Sequence, residues 1–200
     1  MKTVGIYLYN NVEVLDLAGP FEVFSMAQRM WAMAGENPTQ PLFKVVTIAE
    51  HPTQITARAG LQIVPNHSIE YHPHIDILIV PGGGVDQQIT SKSVINWLTT
   101  TSERADLTAS VCTGVFLLAE TGLLEGCEVT THGAYSAVLQ QRYPGLIVRQ
   151  QTSWVDQGQI ITSAGMPAGI DMSLYLVSRV AGMPHARRTA RQMDYLWPQC

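Results

Sequence analysis

An apolar run at residues 75–80 is the feature that most restricts how this chain can fold. It reads Ile-Asp-Ile-Leu-Ile-Val, five apolar residues in six, and leads directly into Pro81-Gly82-Gly83-Gly84. A strand this continuously apolar is typical of the middle of a parallel sheet, where helices cover both faces. The run therefore predicts a central parallel strand that ends in a glycine-rich turn.

Strand-like and helix-like segments alternate at short intervals along the chain, which is typical of an α/β sandwich around a mostly parallel sheet. Further strands are predicted at residues 4–9, 43–49, 108–111, 127–131, 146–150 and 160–163. Helices are predicted at residues 20–33, 94–103, 134–142, 169–181 and 185–196, with another that ends at residue 122. Residues 54–64 predict a hairpin, and Pro20 is expected at the first position of the first helix. We expect one domain over residues 1–200.

Composition excludes several classes of protein. The chain is 46% hydrophobic and 14% charged, with a net charge of −4 and no basic run, so no nucleic-acid partner is expected. No apolar run is long enough to span a membrane, and the N-terminal run is too short for a signal peptide. Cys112, Cys127 and Cys200 form neither a disulfide framework nor a tight metal-binding pair. We therefore expect a cytoplasmic protein, with no metal.

A cysteine lies where a β-prone run meets a helix-prone run. Residues 108–111 lead into Cys112, and the apolar stretch 115–119 follows it. This is the arrangement of a nucleophile elbow, a strand-to-helix turn that presents its central residue. The positive end of the following helix favours thiolate over thiol, so we expect a lowered thiol pKa and a nucleophile. The alternative is an inert, buried cysteine.

Chemically capable residues follow three of the predicted strands. Asp16 comes after the first strand, Gly82 and Gly83 follow the strand at 75–80, and Cys112 ends the elbow strand. Ligands bind parallel sheets outside the carboxyl ends of the strands. We therefore expect these residues to meet in one cleft.

Five blocks of sequence, in order, resemble the ThiJ/PfpI superfamily, and the match covers about residues 3–197. They are residues 15–24 (LDLAGPFEVF), 80–83 (VPGG), 110–114 (SVCTG), 130–132 (TTH) and 168–172 (AGIDM). This superfamily is class-I glutamine-amidotransferase-like. The resemblance implies a flavodoxin-like three-layer sandwich with a mostly parallel central sheet and a nucleophile elbow.

Within the superfamily, two features resemble the isocyanide hydratases and the amidase-like domains of AraC-type regulators. They are the aspartate of L-D-x-x-G-P, here Asp16, and the threonine after the cysteine, here Thr113. Since the chain stops at residue 200 with no room for a DNA-binding domain, we expect the stand-alone enzyme. The hydratases typically have tryptophan where Gly133 stands, a different pair where Met166-Pro167 stands, and a C-terminal extension. The first two differences alter the predicted pocket wall.

The resemblance implies roles for individual residues. Cys112 is the nucleophile, and Asp16, with a raised pKa beside the thiolate, supplies a proton. Backbone N–H groups of Thr113 and Gly83, with Gly82, form an oxyanion-type site. His132 and Met166 are placed beside the substrate.

Other interpretations of these residues stay open. The alternative for Asp16 is an ordinary helix-capping residue, and His132 is a base or part of the pocket wall. The Thr113 side chain is a candidate hydrogen-bond partner of Asp16. Asp171 is expected to cap a helix. His67, Glu70, His72 and His74 are expected to form a solvated loop rather than a metal site.

The function implied is addition of water to an isocyanide, through a covalent thioimidate, to give an N-substituted formamide, with no cofactor. The partners expected are a small-molecule substrate and a second copy of the chain in a homodimer. The alternatives are a regulatory domain that senses a small molecule or an oxidant, and an amidase-like, peptidase-like or glyoxalase-like enzyme. The absence of histidine after Cys112 argues against the peptidase-like arrangement.

Overall fold

The computed structural model describes residues 1–35 and 40–198. In chain order its strands are β1 (Lys2–Leu8), β2 (Phe43–Ala49), β3 (Ile55–Thr56), β4 (Gln62–Ile63), β5 (His67–Ser68), β6 (Ile77–Val80), β7 (Leu107–Val111), β8 (Glu128–Val129), β9 (Ile147–Val148), β10 (Trp154–Asp156) and β11 (Ile160–Ser163). Its α-helices are α1 (Val14–Met33), α2 (Asp86–Thr90), α3 (Lys92–Arg104), α4 (Val115–Glu120), α5 (Ser136–Arg142), α6 (Met166–Ala181) and α7 (Met183–Gln192).

Seven strands form the central sheet, in the order β10-β11-β7-β6-β1-β2-β5. Every neighbouring pair in it is parallel except β10 with β11. Helices α1, α6 and α7 pack together, as do α2, α3 and α4, and the fold is a flavodoxin-like three-layer sandwich. The predicted fold class is therefore confirmed.

The strand predicted to be central is buried on both faces. No residue of β6 is more than 1% exposed, and β6 lies between β1 and β7 in the sheet. Its register pairs Val80 with Ser110 of β7. The glycine-rich turn after β6 and Cys112 after β7 therefore leave the sheet side by side.

The first helix begins earlier than predicted. It starts at Val14, so Pro20 lies inside α1 rather than at its first position. Proline has no N–H to donate to the carbonyl four residues earlier, which here belongs to Asp16. The helix accommodates that loss while burying Leu17 and Pro20. As a result, Asp16 belongs to the first helical turn and not to a preceding loop.

The remaining predicted elements are present, with ends that shift by a few residues, as helix and strand termini often do. The strands at residues 43–49 and 160–163 have the predicted bounds. The predicted hairpin is β3 paired antiparallel with β4. Three elements were missed, the short helix α2 and the two edge strands β5 and β10. Across the described residues, no helix combines the length and hydropathy needed to cross a bilayer.

Candidate active site

Cys112 occupies a sharp turn between β7 and α4. Its backbone φ is +56°, in the left-handed region that side chains other than glycine rarely adopt. The Cys112 N–H donates to the carbonyl of Ala164 at 3.0 Å, and its carbonyl accepts from the hydroxyl of Thr131 at 2.8 Å. A single turn of 3-10 helix, Cys112–Gly114, then leads into α4. The predicted strand-to-helix position of the thiol is confirmed.

Gly114 explains how the turn lies so close to the neighbouring strand. A Cβ built at Gly114 would lie 2.0 Å from the carbonyl oxygen of Val80, at the end of β6. Only glycine permits this approach of two backbones. The close approach keeps Cys112 beside the glycine-rich turn that follows β6.

The carboxyl group of Asp16 is fully buried at the carboxyl edge of the sheet. Its Oδ2 accepts a hydrogen bond from the Gly82 N–H at 3.2 Å. Its Oδ1 is buried with no hydrogen-bond partner among the described residues. Asp16 is not the N-cap residue of α1, because Glu13 occupies that position. The carboxyl therefore keeps one open acceptor.

Gly82 lies between the acid and the elbow. A Cβ at this position would stand 2.7 Å from both the backbone nitrogen and the Oγ1 of Thr113, and 2.8 Å from Asp16 Oδ2. The Gly82 carbonyl in turn accepts from the Glu13 N–H at 2.9 Å. The three predicted strand ends therefore meet in one place, as the sequence predicts.

The hydroxyl of Thr113 binds the glycine turn rather than the acid. It donates to the Gly83 carbonyl at 3.1 Å and accepts from the Gly83 N–H at 2.9 Å. No hydrogen bond joins Thr113 to Asp16, so that predicted contact is wrong. The cause is the backbone of Gly83, which has a φ of +137° and bridges to Val12. Because the Gly83 N–H is engaged by Thr113, a ligand gains it only by displacing that hydroxyl.

Burial dominates the ionisation of both central groups. Desolvation raises the pKa of Asp16 to about 7, against the lowering effect of the Gly82 N–H. Desolvation also raises the pKa of the Cys112 thiol to about 12, and the negative charge of Asp16 adds to this effect. The predicted low thiol pKa is therefore wrong for the free protein. The N–H of Thr113 favours the thiolate, but burial and the adjacent carboxylate outweigh it.

Sequence reasoning missed a charged pair beside this site. Arg58 and Glu13 form an ion pair at 3.2 Å, and both affect the pKa of Asp16, Glu13 raising it and Arg58 lowering it. Arg58 comes from the turn between β3 and β4, where its N–H donates to the carbonyl of Val12 at 3.0 Å. No local sequence signal connects that hairpin to Asp16, since only the tertiary fold brings them together.

His132 is part of the wall beside the elbow. Its Nδ1 accepts from the N–H of Ala134 at 3.3 Å and caps a short turn, and its ring packs against Gly165 and Tyr135. Met166 is the first residue of α6 and is 37% exposed. These contacts favour the wall interpretation of His132 over a role as a base.

Asp171 does not cap a helix, so that prediction is wrong. Because α6 already begins at Met166, with Gly165 as its N-cap residue, Asp171 lies well inside the helix. One oxygen of its carboxyl accepts from the Tyr195 hydroxyl at 3.0 Å.

The histidines of the 67–74 segment do not gather around a common point. The Nε2 of His72 accepts from the Trp97 indole at 2.8 Å, and His67 belongs to β5. Within residues 1–35 and 40–198, no three His, Cys, Asp or Glu side chains come together as metal ligands would. Cys200 lies outside the described residues.

Comparison with known proteins places this chain in a family. The model of the DJ-1/PfpI family matches residues 2–179. The isonitrile hydratase of Pseudomonas putida is 30% identical over 193 residues, which are 96% of this chain and 78% of the hydratase. The HTH-type transcriptional regulator GbdR of Pseudomonas aeruginosa is 28% identical over 181 residues. These residues are 90% of this chain and 47% of GbdR, so the chain spans about half the length of that regulator.

Solved structures agree with this assignment. A THiJ/PfpI family protein from Pseudomonas syringae superposes with a TM-score of 0.84 at 24% identity, covering 97% of this chain and 75% of that one. DJ-1beta of Drosophila melanogaster gives a TM-score of 0.81 at 18% identity, covering 98% and 99%. The resemblance predicted from five sequence blocks is confirmed, and the chain belongs to the DJ-1/PfpI family.

Proposed function

We propose that this protein is a hydratase that uses Cys112 to add water to an isocyanide, R–NC, and releases the formamide R–NH–CHO. The observation that carries the proposal is the pairing of the Cys112 thiol with a fully buried carboxyl, Asp16, whose pKa is about 7. Such a carboxyl both accepts and donates a proton near neutral pH. The similarity to isonitrile hydratase supports this choice of substrate class.

The two groups divide the first half of the reaction between them. At neutral pH the sulfur holds a proton, and the Asp16 side chain interacts with it by hydrogen bonding and by charge. The Oδ1 of Asp16 has no hydrogen-bond partner among the described residues and is available as an acceptor. The sulfur attacks the terminal carbon of the isocyanide as its proton passes to Asp16. Asp16 then delivers that proton to the same carbon. The product is the thioimidate R–N=CH–S–Cys112, with no atom left over.

Water completes the cycle. It adds to the thioimidate carbon while one of its protons passes, by way of Asp16, to the substrate nitrogen. The carbon–sulfur bond then breaks, the second water proton returns to sulfur, and R–NH–CHO leaves. The N–H of Thr113, which favours the thiolate form of Cys112, stabilises the departing sulfur.

The test is formation of a formamide from tert-butyl isocyanide, followed by NMR. Wild type is expected to form N-tert-butylformamide, while Cys112→Ala and Asp16→Asn do not. Cys127→Ser, which changes a free cysteine away from the site, is the matched control and should retain activity. The proposal fails if folded wild type forms no more product than Cys112→Ala across a panel of alkyl and aryl isocyanides.

A second candidate function is binding without turnover, as the ligand-sensing part of a regulator. The observation that favours it is the 28% identity to GbdR over nearly the whole of this chain. A sensing domain would show a ligand-dependent rise in Tm with no product, and Cys112→Ala would keep that rise. An oxidant-sensing version is disfavoured by the raised pKa of Cys112, because peroxide reacts with thiolates.

The proposal includes a homodimer, which the family resemblance implies. Light scattering after size-exclusion chromatography would report a mass near twice that of the 22.0 kDa chain.

A further inference from the structure

An open cavity of about 460 Å³ lies beside the elbow and is distinct from the Cys112–Asp16 pair. Its walls come from the segments 130–136 and 151–153 and from the beginning of α6. Two of its lining residues, Thr131 and Ala164, are those that hold the carbonyl and the N–H of Cys112. A molecule in this cavity would therefore lie against the backbone of the elbow.

The only ionisable side chain among the described residues that line this cavity is a buried carboxyl, Asp171. Asp171 is 8% exposed, and only its Oδ1 is engaged, by the Tyr195 hydroxyl. Its Oδ2 receives no hydrogen bond, and no cationic side chain pairs with it in the part of the chain that the structure describes. A buried carboxylate without a cation is costly, and burial accordingly raises the pKa of Asp171.

Ser136 supplies a second polar group that lacks a protein partner. The residue is only 3% exposed, yet it lines the cavity, and its hydroxyl makes no hydrogen bond within residues 1–35 and 40–198. The hydroxyl is not among the buried side-chain atoms that lack a partner, so it is accessible from the cavity and can bind a molecule there.

The charge of the cavity selects the kind of ligand. The first turn of α6 would favour an anion, but Pro167 has no N–H and the Ala168 N–H already donates to the Gly165 carbonyl at 2.9 Å. One carboxylate is too few for a metal ion, which prefers several charged oxygens. A primary ammonium group fits better, since it carries one positive charge and three N–H donors for carboxylate and hydroxyl acceptors.

We propose that this cavity binds the ammonium group of a small primary amine, with Asp171 as its counter-charge and Ser136 as a hydrogen-bond acceptor. The site does not include the thiol of Cys112, so this proposal does not depend on whether the protein hydrates isocyanides.

The test is calorimetric titration with n-butylammonium chloride at constant ionic strength, with n-butanol as the neutral probe of similar size. Wild type is expected to bind the ammonium and not the alcohol. Asp171→Asn, which keeps the size of the side chain, should weaken binding about tenfold or more, since a hydrogen bond to a charged group is lost. Ser136→Ala should weaken it severalfold. Asp106→Asn, an exposed carboxylate beside Lys2 at the amino end of β7, is the matched control and should bind like wild type.

Three results would overturn the proposal. The first is that n-butylammonium gives no heat of binding, and the second is that n-butanol binds as tightly as n-butylammonium. The third is that folded Asp171→Asn and folded Ser136→Ala both bind n-butylammonium as tightly as wild type. Cys112→Ala should bind the amine normally, which separates this site from the proposed reaction.

Discussion

The N–H of Gly82 donates to the Oδ2 of Asp16 at 3.2 Å, across 66 positions of sequence. This bond fixes one oxygen of the carboxyl and leaves the other open. It also joins the turn after β6 to the first turn of α1. The geometry of the proposed reaction therefore depends on a residue with no side chain.

Replacing Gly82 with alanine is expected to abolish most activity. The new Cβ would meet the backbone nitrogen of Thr113 and Asp16 Oδ2 at under 3.0 Å, so the elbow and the acid must move apart. Displacement of reacting groups by about 1 Å costs on the order of 100-fold in rate. Steady-state kinetics of formamide production would measure the loss in kcat. Gly84→Ala, whose nearest contact is Asn11 at 3.1 Å, should lose much less, and equal losses would contradict this account.

The rate of the proposed reaction should rise with pH through about 7. Asp16 must be ionised to accept the thiol proton, and its pKa in the folded protein is about 7. An alkyl isocyanide does not titrate in this range, so the profile of kcat/KM reports the Asp16–Cys112 pair. A rate that falls between pH 5 and pH 8 would mean instead that protonated Asp16 is the active form.

Asp16 should make the folded state less stable as the pH rises. Its pKa is about 7 when folded, against 3.8 for the free side chain, so the folded state holds the proton more tightly. The resulting contribution of Asp16 to the free energy of unfolding is fully present below about pH 4 and is lost as the pH rises to 7. Each tenfold difference in proton affinity corresponds to about 1.4 kcal/mol.

Urea unfolding of wild type and Asp16→Asn at pH 4.5 and pH 8 measures this effect. The free energy of unfolding of wild type should fall relative to the variant by a few kcal/mol between the two values. Parallel changes in the two proteins would show that Asp16 has an ordinary pKa.

Cys112 should react slowly with iodoacetamide at pH 8. Burial and the charge of Asp16 raise its pKa to about 12, so the thiolate fraction is roughly a hundredth or less of that of a free thiol. Asp16→Asn removes the neighbouring charge and should speed the reaction. The measurement is mass increase with time, in a background of Cys127→Ser and Cys200→Ser. Fast labelling of the wild-type thiol would contradict the raised pKa.

The sequence was a good guide to what periodicity and chain order determine. The apolar run at 75–80 predicted the central strand, and the placement of Asp16, Gly82 and Cys112 at strand ends predicted their meeting. It failed where the outcome depends on tertiary burial. The helix-start argument for a low pKa at Cys112 could not include desolvation, which reverses its sign.

Other errors came from competing local signals. Pro20 is a strong marker for a helix start, but the burial of Leu17 and Pro20 extends α1 back to Val14. Likewise, Thr113 lies near both Asp16 and Gly83, and only the backbone conformation of Gly83 decides which one its hydroxyl binds.

The position of β1 between β6 and β2 has a consequence for how the site assembles. Segment 77–120 contains both the glycine turn and the elbow, and its strands β6 and β7 are neighbours in the sheet. The acid belongs to another part of the chain and arrives only when β1 pairs with β6. The proposed activity therefore requires β1 to be paired with β6. A refolding chain would regain turnover only after β1 has docked, even if the elbow had formed long before.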